Sequence, residues 1–244
     1  MPNLQSATRW TDPQPGPETL RVSAREGYDL WAATYDAEPN PLLALEERGL
    51  HPMLPDLEGK DALDIGCGTG RWLSALHQLG ARSVLGVDSS AVMIARAAAK
   101  PLLHSRLICA DGLALPLRAQ LADLVVCSFM LGHLPSPRAL ACQLARVARP
   151  RADLFLTDMH PEAHARGWRS AFRRADQTIE IRTFFHAPDD IRSAFEAEGF
   201  KFVKSSDFHV GEPERRIFGA ARKDHIFQAA SSVPAVLILH FKRG

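Results

Sequence analysis

Short apolar runs alternate with amphipathic stretches along the middle of the chain. The runs lie at 62–65, 83–87, 106–110, 121–128 and 153–157, and each has the length of a buried strand. Between the last two runs, Ser136 and Pro137 mark the start of a helix and Pro150 marks its end. This alternation predicts βα units around a mostly parallel sheet.

The pattern changes on the N-terminal side of these units. Residues 1–23 contain four prolines among polar residues. We expect a flexible arm there, because this composition buries too little apolar surface to offset chain entropy. In residues 24–36 the aromatic side chains of Tyr28, Trp31 and Tyr35 lie at helical spacing, which predicts a helix with one aromatic face.

On the C-terminal side the alternation of strands and helices is less regular. An Arg-rich stretch at 168–174 precedes a predicted helix at 187–198 and a predicted strand at 201–205. A last strand is predicted at 235–241. The connection at 211–233 is too long for a hairpin, and segments of this length in compact domains are usually functional covers.

Composition narrows the class of protein. The chain has 244 residues, 46% of them hydrophobic, which suffices for one sizeable core. A formal net charge of +1 gives no general attraction to nucleic-acid phosphates or anionic lipids. The cysteines show no CxxC pairing, and neither a signal peptide nor a long apolar segment stands out. We therefore expect a cytoplasmic protein with reduced thiols, no membrane span and no nucleic-acid partner.

A glycine-rich turn follows the first predicted strand. Gly66, Gly68 and Gly70 precede a predicted helix, so the backbone can approach a ligand closely at the carboxyl end of the strand. This indicates a nucleotide-type ligand, although a tight βα turn without a ligand is the alternative when the motif is taken alone. The GxGxxG dinucleotide fingerprint needs a third glycine where this chain has Arg71, which counts against NAD or FAD.

Two further strands end in carboxylates at the same edge. Asp88 lies 18 residues past Gly70, near the spacing at which an acidic residue accepts hydrogen bonds from ribose hydroxyls. Asp111 follows the next strand. Because parallel strands present their carboxyl ends at one edge, the three strand ends are expected to converge on one crevice.

The string at 64–70, together with these aspartates, resembles the class I S-adenosylmethionine (SAM)-dependent methyltransferases, and most closely their type 11, ubiquinone/menaquinone-biosynthesis-like group. The resemblance implies an α/β, Rossmann-like fold with a central, mostly parallel seven-stranded sheet, helices on both faces and an antiparallel last strand. We divide the chain into the arm (1–23) and one domain (24–244), with an N-terminal helical cover (24–58), a SAM-binding core (59–158) and an acceptor-side insertion followed by the last strands (159–244).

Matching motif to motif, the resemblance implies that Asp64 and the turn at 66–70 hold the methionine end of SAM. It implies that Asp88 takes the ribose, that Met93 flanks the adenine, and that Asp111 and Gly112 bind the adenine amino edge. Tyr35 would close over the SAM carboxylate. The full set of expected SAM contacts is Tyr28, Tyr35, Asp64, Gly66, Cys67, Gly68, Gly70, Asp88, Ser89, Met93, Asp111, Gly112, Leu113 and Ser128.

The methyl acceptor is expected to be a small molecule. The chain lacks both the Asn/Asp-Pro-Pro-aromatic motif of nucleic-acid amino-methyltransferases and the double-glutamate loop of protein arginine methyltransferases, and it has no appended basic module. Transfer from a sulfonium is an in-line displacement, so positioning and exclusion of water supply much of the rate. Phe172, Phe184 and Phe185 either line an acceptor pocket or pack an insertion on itself.

His133 and His160 are the candidate catalytic residues. Each follows a predicted strand at the ligand edge, and the reference pKa of histidine suits a general base where the acceptor is an alcohol or phenol. A structural role for His133 is the alternative, and Asp158 competes for the role of base. His160 and His164 lie at i, i+4 without further ligands, so no metal site is expected.

Two other classes of function are kept as alternatives. A noncatalytic SAM- or nucleoside-binding protein would have the same glycine turn and acidic strand ends. An NAD-dependent oxidoreductase would require a nicotinamide site. A homodimer is compatible with the sequence.

Overall fold

The structure is a computed structural model that describes residues 19–104, 106–221 and 223–244. Its strands are β1 (Thr19–Val22), β2 (Asp61–Ile65), β3 (Ser83–Asp88), β4 (Leu107–Cys109), β5 (Ala122–Ser128), β6 (Ala148–Met159), β7 (Ala171–Arg174), β8 (Gln177–Ile181), β9 (Phe200–His209) and β10 (Pro234–Arg243). Its helices are α1 (Ala24–Trp31), α2 (Pro41–Leu50), α3 (Arg71–Gln78), α4 (Ala91–Ala98), α5 (Pro137–Val147), α6 (Pro161–Ala165), α7 (Pro188–Ala197), α8 (Glu212–Ala220) and α9 (Asp224–Ser231). Every strand predicted from the sequence is present.

The central sheet has the strand order β4-β3-β2-β5-β6-β10-β9. Strands β2 to β6 pair in parallel, whereas β10 runs antiparallel to both of its neighbours. The predicted fold class is therefore confirmed. From β2 the chain moves outward through β3 to β4 and then returns to β5 on the other side. This switch point opens a crevice at the carboxyl ends of β2 and β5, which is where open α/β sheets bind ligands.

Helices cover both faces of this sheet, as its continuous apolar strands require. Neighbouring strand residues point to opposite faces. Val125 shares an apolar cluster with Leu144 of α5 and Phe195 of α7. The next residue, Val126, shares the opposite cluster with Leu45 of α2. The strand ends are thus fixed by packing on both sides.

A second, smaller sheet of order β1-β8-β7 lies apart from the central one, and we call it the cover sheet. Strand β1 pairs with β8 in parallel, and β7 and β8 form an antiparallel hairpin. Helix α1 lies close against it, since a Cβ added at Gly27 would come within 2.6 Å of the Ile181 side chain. Arg173 and Arg174 of the Arg-rich stretch lie on β7 of this hairpin, whereas Arg169 precedes it.

The predicted arm at 1–23 needs correction where the structure describes it. Residues 19–22 form β1 rather than a loose segment, because their backbone groups pair with a strand that lies far away in the sequence. Residues 1–18 of that arm lie outside the described residues. The aromatic helix also ends earlier than predicted, at Trp31 rather than residue 36, and continues as turns that carry Tyr35.

Other boundaries also differ from expectation, such as that of the strand predicted at 201–205, which extends to His209. Helix α5 begins as predicted, with Ser136 accepting a hydrogen bond from the Arg138 amide, but it ends at Val147. Strand β6 begins immediately afterwards, before Pro150, because Ala148 pairs with Ala122 of β5. The connection at 211–233 contains the two helices α8 and α9.

A buried carboxylate joins four elements beneath the crevice. Glu46 of α2 is fully buried and forms an ion pair with Arg71 at the start of α3. It also accepts hydrogen bonds from Trp72 Nε1 at 3.0 Å and from the hydroxyls of Ser128 and Thr157 at 2.8 Å each. A buried charge is tolerated only when it is paired and hydrogen-bonded in this way.

We expect Glu46→Ala to lower the free energy of unfolding by about 3–5 kcal/mol, because it leaves the partly buried Arg71 guanidinium and the donors of Trp72 and Thr157 without their common acceptor. The matched control is Glu47→Ala. Glu47 is the next residue, its side chain is 52% exposed, and it lies 3.8 Å from Arg71, so its loss should cost less than about 1 kcal/mol. Urea denaturation of both variants measures the difference, and equal losses would show that the buried network does not stabilise the fold.

Candidate active site

A cavity of about 600 Å³ lies at the carboxyl ends of β2, β3, β4 and β5, and we call it the strand-end cavity. The three strand ends predicted to converge do so here, with Asp64, Asp88 and Asp111 in its wall. Gly70 and Leu113 do not line it. The expected SAM contacts that do are Tyr28, Tyr35, Asp64, Gly66, Cys67, Gly68, Asp88, Ser89, Met93, Asp111, Gly112 and Ser128.

The glycines of the turn have different surroundings. Gly68 has a φ of +53°, and a Cβ added there would meet nothing within 4 Å, although the residue lines the cavity. The space beside it is therefore open to a ligand. Gly70, at the N-cap of α3, has a φ of +81°, and an added Cβ would come within 2.4 Å of Leu103. Packing and backbone conformation therefore require a glycine at position 70.

Asp64 is the most deeply buried acid of the strand-end cavity. It is 2% exposed, and its Oδ1 has no hydrogen-bond partner among the described residues. Burial raises the pKa of this carboxyl to about 8, an effect that the nearby Arg71 guanidinium opposes. A buried oxygen without a partner is costly unless a ligand satisfies it, so Asp64 fits a cationic group in the cavity.

Asp88 is held in one orientation by backbone amides. Its Oδ2 accepts from Gly68 N and its Oδ1 from Ser90 N, both at 2.8 Å. Burial raises the pKa of Asp88, and these two hydrogen bonds oppose that rise. Asp111 is exposed, and its Oδ1 accepts from the Leu113 amide at 2.9 Å.

Arg71 lines the strand-end cavity and was not predicted as a site residue. It is held on one side by Glu46 and by a 3.3 Å hydrogen bond to Ser128 Oγ, while its buried Nη1 makes no hydrogen bond within the described residues. The sequence showed only that an arginine replaces a fingerprint glycine. Its place in the cavity depends on the buried partner in α2.

A second cavity, of about 470 Å³, lies between the strand ends and the cover sheet, and we call it the cover cavity. Its walls include Phe172, Phe184 and Phe185, so these aromatics do line a pocket, and Ile217 and Phe218 from the predicted functional cover line it as well. The two cavities share the residues Tyr28, Tyr35, Leu43, Phe129 and His133.

Tyr28 and His133 form a hydrogen-bonded pair where the cavities meet. The Tyr28 hydroxyl lies 3.0 Å from His133 Nε2. Burial lowers the pKa of His133 to about 4 and raises the pKa of Tyr28 well above its usual range. At neutral pH the phenol is therefore protonated and the imidazole is neutral, and the tautomer of His133 decides which of the two donates.

The structure separates the other two candidate bases. Asp158 lines the cover cavity, where it accepts hydrogen bonds from the amides of Gly132 and Met159, and burial raises its pKa to about 6. His160 lines neither cavity. It is the N-cap of α6, accepts from Glu162 N at 3.1 Å, and lies 3.4 Å from Asp207 of β9.

Within the described parts of the chain, no helix has the length and apolar character that crossing a bilayer requires. The same residues hold no group of three or more His, Cys, Asp or Glu side chains arranged to bind a metal ion.

The family model described as a methyltransferase domain matches residues 40–205. The ubiquinone biosynthesis O-methyltransferase of Hahella chejuensis is 32% identical over 141 residues, which is 53% of this chain and 56% of that protein. The chain thus spans about half the length of the curated relatives it matches.

Among the solved structures that share the fold are two methyltransferases. One is an S-adenosylmethionine dependent methyltransferase from Mesorhizobium loti, with a TM-score of 0.65 and 21% identity over 82% of this chain and 98% of that one. The other is a putative S-adenosylmethionine dependent methyltransferase from Listeria monocytogenes, with a TM-score of 0.66 and 17% identity over 83% of this chain and 99% of that one. The predicted resemblance is confirmed: the chain belongs to the methyltransferase-domain family, and it has the fold of S-adenosylmethionine dependent methyltransferases.

Proposed function

We propose that this chain transfers a methyl group from SAM, bound in the strand-end cavity, to a small molecule bound in the cover cavity. The observation that supports this most is the common wall of the two cavities, formed around Tyr28 and His133. A donor and an acceptor must lie side by side for in-line displacement. SAM supplies a methyl group on a sulfonium that is already activated for that displacement.

The strand-end cavity matches the charges of SAM. Its methionine end carries an ammonium and a carboxylate, and the cavity offers Asp64 Oδ1 and Arg71 Nη1, both buried and without hydrogen bonds among the described residues. We assign the ammonium to Asp64 and the carboxylate to Arg71, with Tyr35 beside it. Asp88 is oriented by backbone amides and takes the ribose hydroxyls, which are strong hydrogen-bond partners for a carboxylate.

At the acceptor side, Tyr28 and His133 position the nucleophile and exclude water. Where the acceptor is an alcohol or phenol, we assign the role of base to Asp158 rather than to His133. A base is most effective when its pKa lies near the working pH, and the pKa of Asp158, about 6, is closer to neutrality than that of His133, about 4. An acceptor amine that is already neutral needs no base.

A noncatalytic SAM- or nucleoside-binding protein is the alternative from another class. It would use the strand-end cavity in the same way and leave the cover cavity without an acceptor. Binding of SAM without transfer of its methyl group to any metabolite fraction would favour it.

We expect Gly68→Ala to weaken binding of SAM and of S-adenosylhomocysteine (SAH) at least tenfold, because the added methyl group enters space that the ligand needs. Gly80→Ala is the control. Gly80 has a φ of +92° and equally open surroundings, but it lies outside both cavities. Strain at positive φ should cost each variant about 1 kcal/mol of stability. Calorimetric titration measures the affinity, and denaturation measures the stability of the same preparation. Unchanged SAM affinity in Gly68→Ala would show that SAM does not bind beside Gly68.

We expect Asp64→Asn to abolish tight SAM binding and to stabilise the unliganded protein increasingly as pH rises from about 4 to about 8. The folded pKa of Asp64, about 8, exceeds its unfolded value near 3.9. The protonated Asp64 carboxyl therefore makes its full contribution to the free energy of unfolding at acid pH. This contribution is lost as pH rises through the folded pKa, by at most about 1.4 kcal/mol per pH unit. Asparagine cannot ionise. If the free energy of unfolding changes with pH in the same way in parent and variant, the Asp64 carboxyl is not protonated in the folded protein as we infer.

We expect the parent to transfer label from methyl-tritiated SAM into the small-molecule fraction of a cell extract. If the acceptor is an alcohol or phenol, Asp158→Asn should lower that rate on the order of 10²-fold or more and remove the rise in rate through about pH 6. SAH affinity should stay unchanged. His133→Gln, which keeps a hydrogen-bond acceptor for Tyr28, should lower the rate less. A larger loss in His133→Gln than in Asp158→Asn would reverse this assignment.

A further inference from the structure

Two arginines line the cover cavity without a carboxylate partner among the described residues. Arg169 is half-buried, and its Nη1 donates to the backbone carbonyls of His164 at 2.9 Å and Trp168 at 2.7 Å. Arg173, on β7, is exposed at the same cavity. Elsewhere guanidinium groups are commonly paired, as those of Arg82 and Arg149 are with Asp61.

Within the described residues, the acids at this cavity form no ion pair with either arginine. Asp158 accepts hydrogen bonds from two backbone amides, and Glu38 is exposed. His164 and His186 also line the cavity. Burial, and to a smaller extent proximity to Arg169, lower the pKa of His164, so this imidazole is neutral at pH 7. Arg169 and Arg173 keep their positive charge at this wall at any physiological pH.

The rest of the wall is mainly aromatic. Trp31 and Phe172 stack with ring centroids 4.6 Å apart, and Phe129 lies at the boundary with the strand-end cavity. Phe184 and Phe185 are 39% and 54% exposed. Exposed aromatic side chains at a cavity are typical of a site that buries an apolar ligand.

From this combination we infer that the methyl acceptor is an apolar molecule that carries an oxyanion, either a carboxylate or a phosphate. Its apolar body lies against the aromatic wall, and the oxyanion is bound by Arg169 and Arg173. A guanidinium binds such groups through two parallel hydrogen bonds, and it remains charged at any physiological pH. Arg169 is the stronger anchor because backbone carbonyls hold it in place and less water screens it. This inference rests on the proposed function, which assigns the cover cavity to the acceptor.

Two fluorescent probes that differ only in an anionic group test the inference. They are 8-anilinonaphthalene-1-sulfonate and its neutral counterpart N-phenyl-1-naphthylamine, titrated into the full chain with saturating SAH to close the strand-end cavity. We expect the parent to prefer the sulfonate about tenfold or more. Arg169→Met should reduce that preference to near one, and Arg173→Met should reduce it a few-fold. Affinity for the neutral probe should stay unchanged in both.

The matched control is Arg174→Met, since Arg174 follows Arg173 on β7 but does not line the cavity. Its preference for the sulfonate should equal that of the parent. The inference is overturned if Arg173→Met keeps the parent's preference for the sulfonate, or if Arg174→Met loses as much of it as Arg173→Met does. These two variants decide the question even if Arg169→Met does not fold. Failure of SAH to bind the parent, seen in a separate titration, would instead overturn the proposed function.

Displacement of the neutral probe distinguishes the two oxyanions. The competitors are 1-naphthoate, 1-naphthyl phosphate and 1-naphthol, which share one apolar body. We expect one or both anions to compete at least tenfold better than 1-naphthol in the parent. This advantage should fall a few-fold in Arg173→Met and stay unchanged in Arg174→Met. The anion that displaces the probe at the lower concentration identifies the oxyanion of the acceptor. Equal competition by all three compounds would contradict an anionic acceptor.

Discussion

The carboxylate of Glu46 has no contact with solvent, and its charge is balanced by groups from three other elements. Arg71 starts α3, Ser128 ends β5 and Thr157 lies near the end of β6, so one side chain sets the distance between parts of the chain that are up to 111 residues apart. Removing any of these partners leaves a buried polar group without a hydrogen bond. The free-energy cost of that loss favours this one arrangement of the four elements over others. Helix α2 also supplies Leu43 to the walls of both cavities. The network around Glu46 therefore fixes the position of a helix that lines both of them.

The two cavities differ in how the chain builds them. The strand-end cavity is made by short-range features: a turn of three glycines, the residues just after β3 and β4, and amides that orient Asp88. The cover cavity is made by contacts between distant segments, with α1 and the cover sheet on one side and α8 on the other. They also differ in their charged groups. Asp64, Asp88 and Asp111 line the strand-end cavity together with Arg25 and Arg71, whereas Arg169 and Arg173 line the cover cavity together with Asp158 and Glu38. Under the proposed function, the donor and the acceptor would therefore meet different charges on the two sides of one shared wall.

This difference explains which features the sequence alone predicts. The βα units and the glycine turn are local patterns, so their positions and the convergence of Asp64, Asp88 and Asp111 follow from periodicity and strand direction. The cover sheet does not follow, because β1 and β7 have four residues each and are strands only through their pairing. Glu46 and Arg71 were missed for a related reason. A charged residue in an amphipathic helix is normally interpreted as solvent-exposed, and only the tertiary structure shows two such residues buried against each other.

The parallel pairing of β1 with β8 has a consequence for how the protein forms during synthesis. The two strands are separated by about 160 residues, so β1 leaves the ribosome long before its partner exists. Strands β2 to β6 all emerge during that interval, so each of these parallel strands has its partner before β1 does. The growing chain therefore contains the residues of the strand-end cavity before the cover sheet can form, because that sheet needs residue 181. Trp31 likewise lacks its stacking partner Phe172 until β7 has been synthesised.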